Sequence, residues 1–532
     1  PTFSSPMPYS LNSITYVRIS FFTNKYATHY TFFVIIRFIM FIISRIIMGS
    51  NEVVLVAYSE IGTKGAVTRK GLERLLINNI KSIAEFEHEN LGGRIVLMPK
   101  DEYALQRLVD EIRYVFGVQY YAKAYRMKFG CLEDVAESVC GFFGDKVNGK
   151  TFRVTAKREG NHHFTSIDVQ RTVGKALEMM GGIVDFKKYE IEIFVEIRND
   201  ECFLYDEVVN GPGGLPIGSA GKVVVLFSGG IDSPVATWMM MKRGCIPVFA
   251  FVNLGGEDNK RRVFDVYERL LVWAKGITPE FIEYGGSEIV NRIKSAVKPS
   301  YRQLVLKKAM YWIANELCKK KRAYGIVTGE SIGQVSTQTI KNLWVLSKSN
   351  EVVVFRPLLG MNKDEIIDIA RKIGTFEKSI CVGEVCNISK GSVKTNASFW
   401  ELEQEYEKVK GVVEKIGEER NRLVGRGGEG RNVTMDTYRV IDYNGDTNVT
   451  IDTYRVIDHN RDTNVTIDTY KVIDLDKDTI DIDTLDKTIL YIIVCKDGVR
   501  ASLECDMLRL LGYKCISSKV SQLSKILPSH HN

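Results

Sequence analysis

The pattern of hydrophobic and polar positions over residues 49–212 predicts short strands that alternate with amphipathic helices. EVVLVA, from residue 52, is a strand candidate followed by a glycine turn. VTRKGLERLLINNIKSI then has helical apolar spacing, with basic residues on its other face. Further candidates alternate from RIVLM at residue 94 to CFLYDEVV at residue 202. This alternation predicts small α+β units.

A different pattern begins at residue 222. KVVVLF and IPVFAFVNL are continuously apolar strand candidates, and a helix candidate, SPVATWMMMKRG, lies between them. Such strands alternating with helices predict a parallel sheet covered on both faces, and the pattern continues to about residue 410. NGPGGLPIGSAG, just before it, has the composition of a linker.

Three 16-residue repeats follow, starting at Asn432, Asn448 and Asn464. They are polar and hold few core positions, so they are not expected to form a solenoid. We interpret them as a duplicated strand-plus-turn insertion, of which the final domain needs one copy.

The N-terminal stretch YTFFVIIRFIMFIISRII is about long enough to span a bilayer, but Arg37 and Arg45 interrupt it. Met48 stands directly before a normal domain start. We therefore expect residues 1–48 to be an apolar extension that is translated upstream sequence or disordered. A membrane anchor is the alternative, and no membrane attachment is expected.

Composition narrows the class of protein. The 532 residues are too many for one domain, and 45% hydrophobic with 26% charged residues fits globular domains. Net charge is +7, of which four charges lie in the acid-free first 50 residues, so basic patches for nucleic acid are permitted but not demonstrated. Ten cysteines without a CxxC pair predict reduced thiols and a cytoplasmic location, and they argue against a zinc ribbon.

SGGIDS, residues 228–233, joins a buried strand to a helix. Its glycines let the backbone approach an anion, and the helix N-terminus adds unpaired N–H groups. The motif lacks the lysine of the Walker loop. An ordinary strand-to-helix turn is the alternative. On this scaffold the motif resembles the PP-loop of ATP pyrophosphatases, which cleave ATP between the α and β phosphates.

Further motifs extend this resemblance in the same order along the chain. They are FVNLGG, VTGESIGQVSTQT, FRPLLGMNKDEII and EVCNISK. Together they resemble the tRNA 4-thiouridine synthetase family, also called tRNA sulfurtransferases and thiamine-biosynthesis proteins. RVTAKREGNHHFTSID is similar to the THUMP domain of that family, and the first predicted strand and helix are similar to its ferredoxin-like domain. The match is dense from about Asn51 to Lys410.

YIIVCKDGVRAS, near the C-terminus, resembles the active-site loop of a rhodanese domain. Backbone N–H groups and Arg500 would stabilise a thiolate or persulfide on Cys495. A buried cysteine at a strand end is the alternative. The first half of this domain is largely replaced by the repeats.

The resemblance implies an α/β multidomain protein. Its domains would be ferredoxin-like, α+β THUMP, a doubly wound parallel-sheet PP-loop ATP pyrophosphatase and a small rhodanese-like α/β domain. We place the boundaries, after the N-terminal extension, at 49–114, 115–212, 213–415, a repeat linker at 416–485, and 486–532.

In the resembled family, ATP adenylates O4 of uridine 8 in tRNA, and a rhodanese persulfide then delivers sulfur to C4. The resemblance assigns the persulfide to Cys495 and a redox-active disulfide to Cys386 and Cys495, with activation by Asp232 and Lys363. ATP contacts would be Leu226, Phe227, Ser228, Gly229, Gly230, Ser233, Phe251, Val252, Lys307, Gly329 and Gln338. Lys308, the adjacent residue, is the alternative to Lys307 for this contact. Basic groups among Lys157, Arg158, Asn161 and His162 would meet tRNA phosphates.

The implied ligands are ATP with Mg²⁺, and no flavin, nicotinamide or iron–sulfur cluster is expected. The implied partners are tRNA, a cysteine desulfurase as persulfide donor and a disulfide reductant, and a homodimer is allowed. Two other functions stay open. One is a persulfide donor for thiazole synthesis only, in which Cys495 matters and Asp232 does not. The other is a tRNA-binding module with a degenerate sulfur-transfer domain.

Overall fold

The structure is a computed structural model that describes residues 52–58, 60–348, 350–383, 388 and 393–418. Beyond residue 418 it describes only the backbone of short strands. Residues 126–202 form one compact unit, and residues 52–125 with 203 onward form the other. No helix in these described parts is long and apolar enough to cross a membrane. The apolar stretch at residues 30–47 lies outside them.

Residues 52–125 fold as an antiparallel sheet packed against two helices, as the alternating pattern predicts. The strand order is β2-β3-β1-β4, and apolar residues of β1 share a core with the first helix. The elements are β1 (Glu52–Ala57), a 3₁₀ turn (Glu60–Thr63), α1 (Ala66–Lys81), β2 (Phe86–Asn90), β3 (Arg94–Pro99), α2 (Glu102–Glu111), a 3₁₀ turn (Ile112–Tyr114) and β4 (Tyr120–Lys128).

The unit 126–202 pairs two helices with parallel strands. Its elements are α3 (Leu132–Val147), β5 (Thr151–Glu159), α4 (Ser166–Met179), β6 (Ile183–Val184), β7 (Ile191–Arg198) and the start of β8 (Glu201–Tyr205). The strand β5 is parallel to both β6 and β7. The two helices approach closely at Gly144, where a Cβ would lie 2.9 Å from Cε of Met180.

The larger unit continues as a parallel sheet between two layers of helices. Its elements to residue 423 are β9 (Val209–Asn210), β10 (Lys222–Leu226), α5 (Asp232–Lys242), β11 (Ile246–Asn253), α6 (Gly256–Leu271), β12 (Phe281–Gly285), α7 (Ser287–Ala296), a 3₁₀ turn (Pro299–Tyr301), α8 (Arg302–Lys321), β13 (Gly325–Val327), α9 (Ile340–Lys348), β14 (Val353–Phe355), α10 (Lys363–Ile373), α11 (Phe376–Ser379), α12 (Phe399–Glu407), α13 (Lys410–Glu418) and β15 (Arg422–Leu423).

The order of this sheet is β14-β13-β10-β11-β12-β15, and all of its strand pairs are parallel except that of β15 with β12. One core cluster lies between the sheet and α8, and a second lies on the α5, α6 and α10 side. The predicted doubly covered parallel sheet is therefore confirmed. The chain leaves β10 towards β11 on one side and later returns to β13 on the other. Ligands of such sheets bind beyond the carboxyl ends of the strands at this switch point.

The glycine-rich segment over residues 210–221 is closely packed, although its composition is that of a linker. A Cβ on Gly214 would lie 2.1 Å from the carbonyl oxygen of Lys242, and Ile217 is only 1% exposed. The carbonyl oxygen of Ile217 accepts a hydrogen bond from Asn79 Nδ2 at 3.1 Å. Its glycines therefore allow residues 52–125 to pack tightly against the parallel-sheet domain.

Past residue 423, backbone strands are described in two small sheets. The repeats supply an antiparallel pair, β16 (Tyr454–Asp458) with β17 (Arg461–Val465). The third copy supplies β18 (Tyr470–Asp474), which is parallel to β19 (Leu490–Cys495), which is in turn parallel to β20 (Lys514–Lys519). The third copy thus supplies a strand that pairs with the final segment, and the interpretation of the repeats as a duplicated insertion stays a prediction. The first repeat lies outside the described residues.

Candidate nucleotide-binding site

The loop between β10 and α5 is closed by its own serines. The backbone N–H of Ser228 donates to Oγ of Ser233 at 3.2 Å, and the two hydroxyl oxygens lie 3.3 Å apart. The sequence SGGIDS therefore forms a compact turn whose first and last residues touch. This turn lies at the carboxyl end of β10, at the switch point of the sheet.

Two glycines in and beside the loop are required by close packing. Gly229 has φ +73°, and a Cβ there would lie 3.0 Å from Cα of Val263 on α6. A Cβ on Gly329, in the loop after β13, would lie 2.9 Å from Cβ of Asp232. Gly230 is less crowded, since its Cβ would meet only Oγ of Ser228 at 3.6 Å. The loop therefore leaves open backbone beside a helix N-terminus, which suits a polyphosphate.

Asp232, the first residue of α5, is held by two side chains from distant parts of the sequence. Lys363 Nζ, at the start of α10, donates to Oδ1 at 2.6 Å, and Gln334 Nε2 donates to Oδ2 at 3.0 Å. The carboxylate is 26% exposed and the lysine 40%. A carboxylate has about four acceptor positions, so Asp232 can still accept from a ligand or bind a cation.

Gln334 has one further group that points to a ligand. Its Oε1 is buried and has no hydrogen-bond partner among the described residues. A buried amide oxygen without a donor costs about 1–3 kcal/mol. A ligand that brings a donor to this oxygen would remove that cost, and the position beside Asp232 makes a nucleotide the natural candidate.

Behind this pair lies a buried cluster around Glu330. Lys307 Nζ donates at 2.9 Å, Arg356 Nε at 2.8 Å and Tyr311 OH at 2.5 Å. Burial alone would raise the pKa of Glu330, but the charge of Lys307, the Tyr311 hydrogen bond and the charge of Arg356 outweigh it and lower the pKa to about 2. The same burial, reinforced by the charge of Glu330, raises the pKa of Tyr311 well above its ordinary value.

This cluster settles which way the two neighbouring lysines face. Lys307 contacts the loop after β13 through Glu330. Lys308 instead donates to Glu403 on α12 at 2.6 Å and lies 4.7 Å from the ring centre of Tyr406. Of the two, Lys307 is therefore the one on the side of the predicted ATP site.

Several other predicted ATP contacts are buried. Phe227, Phe251 and Val252 are at most 8% exposed, and Leu226 is partly buried. Their side chains line the core below the loop, so a nucleotide could reach mainly their backbone. Gln338 closes the loop after β13, because its Oε1 accepts from Ser331 N at 3.3 Å and its carbonyl oxygen from Gly333 N at 3.0 Å.

The unit 126–202 holds an open groove of about 700 Å³ beside the four residues predicted to meet tRNA. His162 Nε2 lies 2.6 Å from the carbonyl oxygen of Asn199, and Arg158 Nη1 lies 3.1 Å from Nδ1. Since a carbonyl only accepts and an arginine only donates, His162 has the Nε2–H tautomer. Its ring lies 4.9 Å from that of Phe164. Asn161 and His162 line the groove; Lys157 and Arg158 lie on β5.

Comparison with known proteins agrees with this architecture. Residues 218–410 match the family described as "Thiamine biosynthesis protein (ThiI)", residues 132–207 the THUMP domain and residues 53–122 the ThiI ferredoxin-like domain. A "Probable tRNA sulfurtransferase" of Saccharolobus islandicus (strain M.14.25 / Kamchatka #1) is 41% identical over 360 residues, which are 67% of this chain and 95% of the relative. The chain belongs to the tRNA sulfurtransferase (ThiI) family.

Another relative and one solved structure support the same membership. The "Probable tRNA sulfurtransferase" of Sulfurisphaera tokodaii is 40% identical over 361 residues, 68% of this chain and 96% of that protein. A crystal structure titled as a 4-thiouridine synthetase–RNA complex with bound ATP has a TM-score of 0.61 and 28% identity, and it covers 69% of this chain and 97% of that chain. The expected ferredoxin-like, THUMP and PP-loop-containing domains are thereby confirmed, whereas these family matches end at residue 410, before the predicted rhodanese-like segment.

The two cysteines predicted for sulfur transfer in this family member are not placed as side chains. Cys386 and Arg500 lie outside the described residues. Cys495 is the last residue of β19, the middle strand of a three-stranded parallel sheet, with only its backbone described. The Cys386–Cys495 pair and the role of Arg500 therefore stay predictions.

The sequence motifs of the tRNA sulfurtransferase family contained further site residues that we did not single out. Glu330 and Gln334 lie inside VTGESIGQVSTQT, and Arg356 lies inside FRPLLGMNKDEII. Their position in motifs that resemble the family was the available signal. Nothing in the sequence showed that Glu330 is 5% exposed or that Gln334 contacts Asp232.

Proposed function

We propose that this chain uses ATP to adenylate O4 of uridine 8 in tRNA and then replaces that oxygen with sulfur, giving 4-thiouridine. The observation that carries this proposal is that the SGGIDS loop lies at the switch point of the sheet and that its Asp232 accepts a hydrogen bond from Lys363. Membership of a family with relatives named tRNA sulfurtransferases, and similarity to a 4-thiouridine synthetase with RNA and ATP, support the choice of substrates.

The site residues have distinct roles in the proposed adenylation. A carbonyl oxygen is a poor leaving group, so O4 attacks the α-phosphate of ATP, pyrophosphate departs, and AMP can later leave. Backbone N–H groups of the loop and the N-terminus of α5 hold phosphate oxygens. Lys363 neutralises charge that develops on the phosphates. Asp232 orients Lys363 and is the carboxylate that would hold Mg²⁺, which commonly binds through one or two carboxylates and substrate phosphates.

For the sulfur step we propose Cys495 as the carrier. A cysteine desulfurase loads it as a persulfide, whose terminal sulfur attacks C4 while AMP leaves. The Cys386 thiolate then attacks Sγ of Cys495, which releases 4-thiouridine and leaves a Cys386–Cys495 disulfide for a two-electron dithiol reductant. The rhodanese-like motif and the strand-end position of Cys495 support this route. The relatives add no support for this route, because about a third of this chain lies outside the regions aligned with them.

The family description as a thiamine-biosynthesis protein favours one second activity, the supply of sulfur for thiazole synthesis through Cys495. We propose that both activities are cytoplasmic. This second activity needs no adenylation and therefore does not need Asp232.

The experiment incubates the full chain with unmodified tRNA, ATP, Mg²⁺, cysteine, a cysteine desulfurase and a dithiol reductant, and measures 4-thiouridine by mass spectrometry of the digested tRNA. We expect product with the wild type and none with Cys495→Ser, which should also fail to load persulfide. Cys386→Ser, incubated without the reductant, should stop with the tRNA joined to Cys495 through a mixed disulfide, because the thiol that releases 4-thiouridine is missing. Cys381→Ser, at an exposed cysteine of the same segment, is the matched control and should behave as the wild type.

Two results would contradict the proposal in different ways. Absence of 4-thiouridine from the wild type, with every component present, would overturn the function. Continued catalytic thiolation by Cys495→Ser would leave the function standing and show that sulfur arrives by a route that does not use the C-terminal segment.

A further inference from the structure

Two stretches of the parallel-sheet domain lack acidic residues. Residues 331–350 and 387–400 contain no Asp or Glu. Their described parts pack on one another through Asn342, which is fully buried and donates to the carbonyl oxygen of Lys394 at 3.0 Å. Asn342 Oδ1 also accepts from the backbone N–H of Ala397 at 3.0 Å. The two stretches therefore form one face, which we call the acid-free surface: Ile340, Lys341, Trp344, Lys348, Lys394 and Trp400.

The acid-free surface carries the exposed tryptophans of the chain. Of the five tryptophans in the sequence, Trp238 and Trp273 are at most 7% exposed and Trp312 is partly buried. Trp344 is 56% exposed and Trp400 is 74% exposed. Burial of large aromatic side chains is strongly favourable, so two exposed indoles on one face indicate a surface that is covered by a partner.

A lysine links these rings. Lys348 Nζ lies 5.3 Å from the ring centre of Trp344 and 4.3 Å from that of Phe399. The rings of Phe399 and Trp400 are 5.5 Å apart. Aromatic rings, with cations among them, form a continuous row along the surface. Single-stranded nucleic acids are bound by this combination, since bases stack on the rings and phosphates meet the cations.

Within the described part of the chain, the acidic side chains Glu330, Glu351 and Glu401 at the borders of the acid-free surface are occupied by other groups. Glu330 is buried among Lys307, Tyr311 and Arg356. Glu351 pairs with Lys319 at 3.0 Å, and Glu401 accepts from the hydroxyl of Tyr301. Among the described residues, Lys341 and Lys394 have no ion pair. The surface thus presents uncompensated positive charge, which favours a polyanion over a second protein surface.

The surface and the candidate site are adjacent along the chain. Helix α9, which carries Lys341, Trp344 and Lys348, follows directly on the loop that presents Gln334 to Asp232. We infer that the acid-free surface binds unpaired tRNA nucleotides next to the modified uridine, with Trp344 and Trp400 stacking on bases and the lysines on phosphates. The inference rests on the proposed function, because it takes tRNA as the substrate of the adjoining site.

The test measures tRNA affinity of the full chain without ATP, so that binding is separated from turnover. Trp344→Ala and Trp400→Ala should each weaken binding about tenfold, within the range measured for loss of one stacked base. Trp344→Phe should restore most of the affinity. Lys341→Glu should lower the salt dependence of binding, whereas Lys294→Glu, an exposed lysine on α7, is the matched control and should change little.

Each outcome decides a different claim. Unchanged tRNA affinity in both tryptophan variants would overturn the inference. If the variants instead converted a dimer to a monomer in sedimentation with affinity unchanged, the surface would be a protein interface and the inference would be wrong. If these variants bound tRNA more weakly but the wild type made no 4-thiouridine, the inferred tRNA-binding surface would stand and the proposed function would be wrong.

Discussion

Two lysine–carboxylate contacts lie beyond the carboxyl ends of neighbouring strands of the same sheet, and they differ in burial. Asp232 and Lys363, after β10, are 26% and 40% exposed. The side chains of Glu330, after β13, and of its partner Lys307 on α8 are 7% and 22% exposed. The N–O distances are similar, 2.6 and 2.9 Å. Distance alone therefore does not tell which pair is reactive.

The difference lies in what else each carboxylate binds. Glu330 accepts from Lys307, Arg356 and Tyr311, and from Thr328 Oγ1 at 3.1 Å, so its acceptor positions are used. Arg356 in turn donates to Ser347 on α9 at 2.9 Å. The cluster joins α8, α9 and the loops after β13 and β14. Asp232 has two partners and open acceptor positions. One carboxylate thus fixes the loops and the other can act on a ligand.

The largest expected effect is on turnover by Asp232→Asn. The amide cannot orient Lys363 or bind Mg²⁺ as the carboxylate does. We expect tRNA-dependent pyrophosphate release to fall about 10³-fold, the upper range for loss of one transition-state contact. The unfolding midpoint in urea should stay close to that of the wild type, because partly exposed ion pairs contribute little. Wild-type pyrophosphate release by this variant would show that the reactive carboxylate lies elsewhere.

The second expected effect is on stability by Glu330→Gln. The substitution preserves shape but leaves Lys307 and Arg356 without a counter-charge in a buried place. We expect the free energy of unfolding to fall by about 3 kcal/mol, as when one partner of a buried ion pair is removed. Urea unfolding followed by tryptophan fluorescence measures it. Glu316→Gln, which removes a more exposed partner of Lys319, is the control and should change stability by less than about 1 kcal/mol.

A loss of activity by Glu330→Gln without a loss of stability would contradict the structural role given to Glu330. It would mean that Glu330 touches the substrate, and that burial does not separate the two roles.

The sequence predicted one half of this comparison better than the other. Asp232 and Lys363 belong to motifs that resemble a known family, and the turn after a continuously apolar strand is visible in the hydrophobic pattern. Glu330 lies in such a motif too, but its role depends on burial by α8, which brings Tyr311 and Lys307 to it from earlier in the chain. Burial of a polar residue is a tertiary property that hydrophobic periodicity does not report.

The choice between Lys307 and Lys308 shows the same limit. Neighbouring residues on a helix point about 100° apart, so only one can face the loop after β13. The motif fixed the position to within one residue. Which of the two lysines faces the loop depends on the rotation of α8 about its axis. That rotation is set by core packing of residues such as Leu304 and Ala309. The close packing of the glycine-rich segment at 210–221 was not predicted for a similar reason, because composition does not reveal close contacts.

The smallest expected effect is the acid dependence that Glu330 contributes to stability. Its pKa is lowered in the folded chain from 4.5 to about 2, so the folded state keeps it ionised where the unfolded state binds a proton. Its stabilising contribution is therefore complete above about pH 4.5 and is lost as pH falls towards 2. By linkage, about 2 kcal/mol of it should be gone at pH 3.

This effect is measured as the difference in free energy of unfolding between the wild type and Glu330→Gln, because other carboxylates such as Glu111 and Glu405 also have lowered pKa values. Their contributions are common to the wild type and Glu330→Gln and cancel between them. The groups that face Glu330 are Lys307 and Tyr311 from α8 and Arg356 after β14, and all three remain in the variant.

The difference in free energy of unfolding between the two proteins, measured in urea from pH 7 to pH 3, should therefore narrow only below pH 4.5. A gap that stays constant to pH 3 would show that the pKa of Glu330 is the same folded and unfolded, and the contrast with Asp232 would then rest on geometry alone.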